Sequence, residues 1–489
     1  MSESTTRVVL VLFDGLRPDM VTPELMPNLT RFASGGTWFR EARSVFPSMT
    51  RVATTSIATG APPVVHGVVG NAFYFPQVTT AHLIDTSLGA DVALAEQATS
   101  GRFVTAETFG DRLAAAGKRL AVVHTGSAGS AHVINPRAGA NGHWTFSIFG
   151  AEHTQTPEAV IETVGRFGPL PLRSLPRFEE IDYATTVLVD HVLHTIDPDV
   201  ALIWFNEPDT SYHYKFLGAP ETQAVLRHVD AAFGRIVEAI AARPDADRFL
   251  VMATSDHGQI SSDGLVDMVE LLSAEGHTAY KAAERRLDGA KITITGGNMG
   301  EIRILDGDAR RRQAIADWLM DQPFIGGLFS PARNDVEGEV EGSLSLALVS
   351  LDHERQPYLV FMLHSSDTHD RYGFPGLGLI TGGVPVGGGM HGGLNRYELN
   401  TTLIVTGNGF APGIVSSAPA GIIDIAPTIL GALGIPPAAT MCGRDLANLH
   451  GDAPGQSLML ETEKGSFRQR LVLNDASARR IIAFGGRVS

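Results

Sequence analysis

The chain has 489 residues, 53 acidic against 38 basic side chains, and one cysteine. A formal charge of −15 argues against binding to nucleic-acid backbones, which takes clustered Lys and Arg, and the single Cys442 excludes an intramolecular disulfide framework. Apolar residues at 44% and charged residues at 19% describe a folded chain that can bury a substantial core, as one large elaborated domain or about three ordinary ones.

In chain order, the first apolar run is Val8–Phe13. It is short, lacks a basic leader and a small-residue cleavage site, and ends in Asp14-Gly15. No stretch approaches the ~18 apolar residues that span a bilayer. These features predict a soluble, cytoplasmic protein with no membrane partner and no nucleic-acid polymer as partner. Strands are expected at 7–13, 119–123, 200–205, 248–253 and 402–406, where apolar runs are continuous. Helices are expected at 26–34 (Pro27 in the first turn, Gly35-Gly36 at the end), 106–116, the amphipathic 221–243, and 308–321. The alternation predicts an α/β fold, a three-layer sandwich around a mostly parallel central sheet. Residues 1–261 read as the first part of a catalytic core. The less regular 262–385, with alternating segments near 342–350 and 357–363, reads as an inserted cap. Residues 386–489 read as the last part of the core with a C-terminal tail.

Three expected strands end in polar residues: Asp14 after the first, Asn206-Glu207-Pro208-Asp209 after the third, Asp256-His257 after the fourth. In open α/β sheets ligands bind beyond the carboxyl ends of the strands, so these acids are delivered to one edge. Asp209 and His213, four apart, share one face if the segment is helical, which suits a single metal; alone, the pair fits a solvated loop equally well. Asp256 and His257 reach one ion if the chain turns at Gly258. His391 is flanked by glycines that let backbone approach a site, or is an incidental loop residue. Thr50 follows Pro47 at the start of a helical pattern ending at Gly60, where free N–H groups favour an alkoxide or a phosphoryl oxygen; taken alone it reads as a helix cap. Together, Asp14, Thr50, Asp209, His213, Asp256, His257 and His391 form an Asp/His set without Cys. That set suits zinc or a similar divalent ion at a catalytic site, and its six ligands fit two ions about 4 Å apart, with Thr50 as nucleophile.

At these residues the chain resembles the alkaline phosphatase superfamily. The nearest branches are the nucleotide pyrophosphatase/phosphodiesterases and the phosphonoacetate hydrolases. The order Asp, Thr, Asp-x-x-x-His, Asp-His, His follows the superfamily's pattern. The stretch Thr59–Asn71, with His66 and Gly70, is similar to both branches, and Asp424–Thr428 followed by Gly434-Ile-Pro resembles a common helix and turn. The resemblance implies an alkaline phosphatase-like fold with two Zn²⁺, other divalent metals being possible. Asp209, His213 and His391 would hold one ion; Asp14, Asp256 and His257 would hold the other, with Thr50 bridging toward it. Asn71 would bind a non-bridging oxygen of a small anionic phosphorus-containing substrate. Attack by Thr50 would form a phospho-threonine and cleave a phosphodiester or pyrophosphate bond. The alternative is cleavage of the C–P bond of a small phosphonate, as in phosphonoacetate hydrolase. That branch grips the substrate carboxylate with lysines, whereas no Lys stands here between Lys118 and Lys215, leaving Arg137 or Arg166 as candidates. Phe73, Tyr74 and Phe75, after Asn71, are candidates for stacking a base, or are packing residues. His364, Asp367 and His369 are a possible substrate contact in the cap, or an ordinary polar loop.

Overall fold

Alternate residues of Arg7–Phe13 point to opposite faces of the central sheet, and both faces are covered. Val9, Val11 and Phe13 pack with Val229, Phe233 and Ile236 of helix Pro220–Ala241. Val8, Leu10 and Leu12 pack with Ala53 and Ile57 of helix Thr50–Thr59, with Phe109 and Leu113 of Phe109–Ala115, and with Ile425 and Ile429 of Ile425–Ala432. The computed structural model describes residues 6–282, 284–449, 455–476 and 479–488. Its central sheet has eight strands in the order Ile414–Ser416, Thr37–Phe39, Leu403–Thr406, Phe249–Thr254, Arg7–Phe13, Val200–Phe205, Leu120–His124 and Trp144–Ser147. The five strands from Phe249–Thr254 to Trp144–Ser147 are mutually parallel. Leu403–Thr406 runs antiparallel to both neighbours. A continuous apolar run reports burial on two faces but carries no information on direction. Among the described residues no helix is long and apolar enough to cross a membrane.

A second sheet of six strands lies within 279–363 and carries helix Ala309–Asp321, whose Ile315 and Leu319 pack with Ile302 and Phe361. Its other face sets Met299, Phe329, Val360 and Met362 against Phe46, Val52, Val69 and Phe73 of the first part of the chain. The antiparallel strands Gln456–Lys464, Phe467–Ala476 and Arg479–Arg487 also join this second sheet, through Leu471, Leu473 and Ile482. A third, four-stranded sheet matters most for the site. It pairs Gly389–Met390 antiparallel with Ile260–Leu265, Met390 opposite Ile260. His391 is thereby fixed beside Asp256 and His257, although 134 positions separate His257 from His391 in the chain.

Candidate active site

Three parallel strands end at the same edge. Phe13 pairs with Phe205, and Leu12 with both Trp204 and Thr254, so Asp14, the Asp209 turn and Asp256 emerge together. Helix Asp209–Lys215 then sets Asp209 and His213 one turn apart. Thr50 is the first residue of helix Thr50–Thr59; Met49 is its N-cap, so the threonine is not the cap that its position suggested. Its side chain is 6% exposed, and Oγ1 lies 3.2 Å from His257 Nε2.

Each of the three histidines bonds a backbone carbonyl through Nδ1: His213 to Gly389 at 2.6 Å, His391 to Ser48 at 2.7 Å, His257 to Gly258 at 3.1 Å. A donating Nδ1 leaves Nε2 as a lone pair, and this arrangement around metal-ligating imidazoles fixes tautomer and ring orientation. The rings of His257 and His391 stack with centroids 3.6 Å apart. The lone pairs fall into two groups. Asp209, His213 and His391 form one and Asp14, Asp256 and His257 the other; in each, the ligand atoms all lie within 4.8 Å of one another. All seven residues singled out in the sequence therefore come together.

The chemistry of the donor set fits cations. Asp14 Oδ1 and Asp256 Oδ2 are buried without a hydrogen-bond partner among the described residues. They lie 3.4 and 3.2 Å from His257 Nε2, so with Nδ1 donating to Gly258 three potential acceptor atoms converge. Burial, then Asp256 and Asp209, push Asp14 well above the usual carboxylate range, and burial raises Asp256 too. Against the same burial, His213 holds Asp209 below it. Burial and then His257 keep His391 well below the usual imidazole value, so it stays neutral. A divalent ion in either group would supply the opposite charge that these acids lack.

Several supporting residues carry no sequence signal. Trp204 Nε1 donates to Asp14 Oδ2 at 3.1 Å, Gly15 N to Asp256 Oδ1 at 3.1 Å, and the Gln259 amide to Asp209 Oδ1. These contacts join segments far apart in sequence, so no local pattern could reveal them.

Asn71 accepts the Arg51 backbone N–H through Oδ1 at 3.1 Å, which turns its amide N–H groups toward the remaining space. It lines a cavity of about 100 Å³ together with Pro47, Met49, Thr295, Met299 and Glu301. Phe73 requires a correction. It is 0% exposed, packed between the rings of Phe75 and Phe103, and offers no face to a substrate. Tyr74 is half-buried and lines a separate groove with Arg303, Gln356 and Tyr358, outside the cavity at Asn71. His364, Asp367 and His369 are exposed. Arg137 is held by Asp111, and Arg166 by Thr195 and the Asp190 carbonyl.

The chain is similar to several known proteins. A stretch of 73 residues is 37% identical to a bis(5'-adenosyl)-triphosphatase of Xenopus laevis, covering 15% of this chain and 16% of that protein. A longer stretch of 279 residues is 25% identical to human ectonucleotide pyrophosphatase/phosphodiesterase family member 7, covering 55% of this chain and 51% of that one. The chain thus spans about half or less of the curated relatives it matches. Among solved structures, murine ectonucleotide pyrophosphatase/phosphodiesterase 5 superposes with a TM-score of 0.62 at 15% identity, over 91% of this chain and 99% of that one. That structure is an inactive threonine-to-alanine variant in complex with AMP. A second structure of the same murine protein superposes with a TM-score of 0.60 at 15% identity, over 88% of this chain and 96% of that one. The fold is that of the alkaline phosphatase superfamily, and residues 8–318 match the description Type I phosphodiesterase / nucleotide pyrophosphatase, the family to which the chain belongs.

Proposed function

We propose that the protein hydrolyses a phosphodiester or pyrophosphate bond of a small anionic substrate, with Thr50 as nucleophile beside two divalent metal sites that take zinc. The observation that carries this reading is the position of Thr50 Oγ1, at a helix N-terminus and 3.2 Å from His257 Nε2, the ligand atom of one acidic group. Asp209, His213 and His391 would hold one ion and Asp14, Asp256 and His257 the other. Such ions lower the pKa of a hydroxyl and neutralise charge developing on phosphoryl oxygens. The Thr50 hydroxyl gives its proton to solvent and its oxygen attacks phosphorus in line with the leaving group, whose P–O bond breaks as the new one forms. The leaving oxygen takes its proton from solvent, and water then cleaves the phospho-threonine. Asn71 donates an amide N–H to a non-bridging oxygen, where charge grows during attack.

Bis-p-nitrophenyl phosphate tests the reading directly. Thr50→Ala should lower kcat by at least about 1,000-fold, the scale seen when a nucleophile is removed. Chelation should abolish activity, and zinc should restore it. Unchanged turnover in Thr50→Ala would sink the proposal. Phosphonoacetate belongs in the same panel, because phosphate release from it would move the reading to C–P cleavage.

A further inference from the structure

Arg51 directly follows the proposed nucleophile. Its backbone is anchored: the N–H donates to Asn71 Oδ1 at 3.1 Å and the carbonyl accepts the Thr55 hydroxyl at 2.7 Å. Its side chain is not. Nε is buried without a hydrogen-bond partner, and among the described residues no hydrogen bond or ion pair reaches the guanidinium. Arginines nearer the interior make hydrogen bonds or ion pairs through at least part of the fork. Arg17 binds Asp19 and two carbonyls, Arg303 binds Glu301, and Arg355 binds the carbonyls of Gly67 and Phe103. A guanidinium offers five donors in a planar fork and keeps its charge; Arg51 is partly exposed, and its buried Nε lacks the acceptor that would offset desolvation. The acids in electrostatic reach of Arg51 are Asp85, Asp14, Asp209 and Asp256. None is an ion-pair partner, and the last three belong to the acidic groups that fit cations. Arg51 thus follows Thr50 on the first turn of the helix, where a phosphoryl group would sit, with its backbone tied to Asn71 and its fork free for a ligand.

We propose that Arg51 recognises a second negative charge on the substrate. It grips either the second ionised oxygen of a terminal phosphoryl group or the next phosphate of a pyrophosphate, and so favours these over singly charged diesters. The inference rests on the phosphoryl-transfer reading above and names its substrate class.

The test compares wild type, Arg51→Ala, Arg51→Gln, Arg51→Lys and Thr50→Ala on three substrates. These are p-nitrophenyl phosphate, ATP and the singly charged bis-p-nitrophenyl phosphate. Loss of all three activities in Thr50→Ala keeps the parent reading, whatever Arg51 does; full activity there refutes the parent reading alone. For Arg51→Ala, the ratio of kcat/KM on p-nitrophenyl phosphate or ATP to that on the diester should fall by about 30-fold, the scale of a charge-assisted hydrogen-bond pair. A fall for p-nitrophenyl phosphate locates the charge on the reacting phosphorus; a fall for ATP alone locates it on the next phosphate. Arg51→Lys should recover part of the ratio. Calorimetry supplies a readout apart from turnover: inorganic phosphate should bind zinc-loaded Arg51→Ala about tenfold more weakly than zinc-loaded wild type. If Arg51→Ala does not fold, Arg51→Gln keeps the side chain's length and carries the same comparisons. Unchanged ratios with unchanged phosphate affinity overturn the proposal.

Discussion

A buried carboxyl outside the two ligand groups shows how single side chains here set the response to pH. Glu398 is 1% exposed, accepts Asn298 Nδ2 at 2.7 Å, and its own carbonyl accepts Gly258 N at 2.7 Å. Burial pushes its carboxyl from 4.5 up to about 8. The folded state therefore favours the protonated acid. Its contribution to stability is complete below the unfolded value of 4.5 and is lost as pH rises toward about 8. Glu398→Gln keeps an acceptor for Asn298 and cannot ionise. Its melting temperature should fall less than that of wild type between pH 5 and pH 8.5, read by thermal melts; parallel profiles for the two proteins would remove Glu398 as the cause. Glu398 left no trace in the sequence, since a lone glutamate in a polar stretch looks like a surface residue. Phe73 failed for the converse reason. An aromatic after Asn71 suits a stacking platform and a core equally, and its burial by Phe75 and Phe103 depends on residues that no local pattern names.

At the scale of elements, what the sequence showed was strand ends. Arg7–Phe13, Val200–Phe205 and Phe249–Thr254 were legible because burial on both faces leaves an unbroken apolar run, and their ends named Asp14, Asp209 and Asp256. What it did not show was the short pairing of Gly389–Met390 with Ile260–Leu265, because a two-residue strand has no period to read. The glycines around His391 were read as permitting close approach, and the structure gives the distances. A Cβ on Gly388 would stand 2.1 Å from the His213 carbonyl oxygen. Gly388→Ala must therefore push this segment off helix Asp209–Lys215 and weaken the bond from His213 Nδ1 to the Gly389 carbonyl. Losing such outer support of a ligating histidine costs about tenfold or more in metal affinity. Zinc titration of the purified variant should show that loss while circular dichroism stays near wild type. Wild-type zinc affinity would mean that the segment yields without disturbing His213.

The whole molecule is tied together at a joint that the sequence placed elsewhere. Residues 386–489 read as a return to the core with a tail, yet the strands within 456–487 extend the packing of the second sheet. The reason lies in one buried amide. Gln469, 1% exposed, donates to the carbonyls of Leu328 and Gly342 at 2.9 Å each, and its Oε1 accepts Leu328 N at 2.9 Å. One side chain thus replaces the ladder bonds that strand Ile325–Ser330 would take from another strand there. The same three-stranded sheet reaches the site, because Gly485 N donates at 2.9 Å to the carbonyl of Leu394, three residues beyond His391. Gln469→Leu keeps the volume but strands both backbone groups of Leu328 in an apolar interior, at about 1–3 kcal/mol for each unsatisfied group. The variant should melt earlier than wild type. Because Gln469 does not touch the ligand groups, kcat on bis-p-nitrophenyl phosphate at low temperature should stay near the wild-type value. An unaltered melting temperature would mean that Leu471, Leu473 and Ile482 hold the joint without the amide. A normal melt with lost turnover would instead place the control of the site in Gln469 itself, carried through Leu394 to His391.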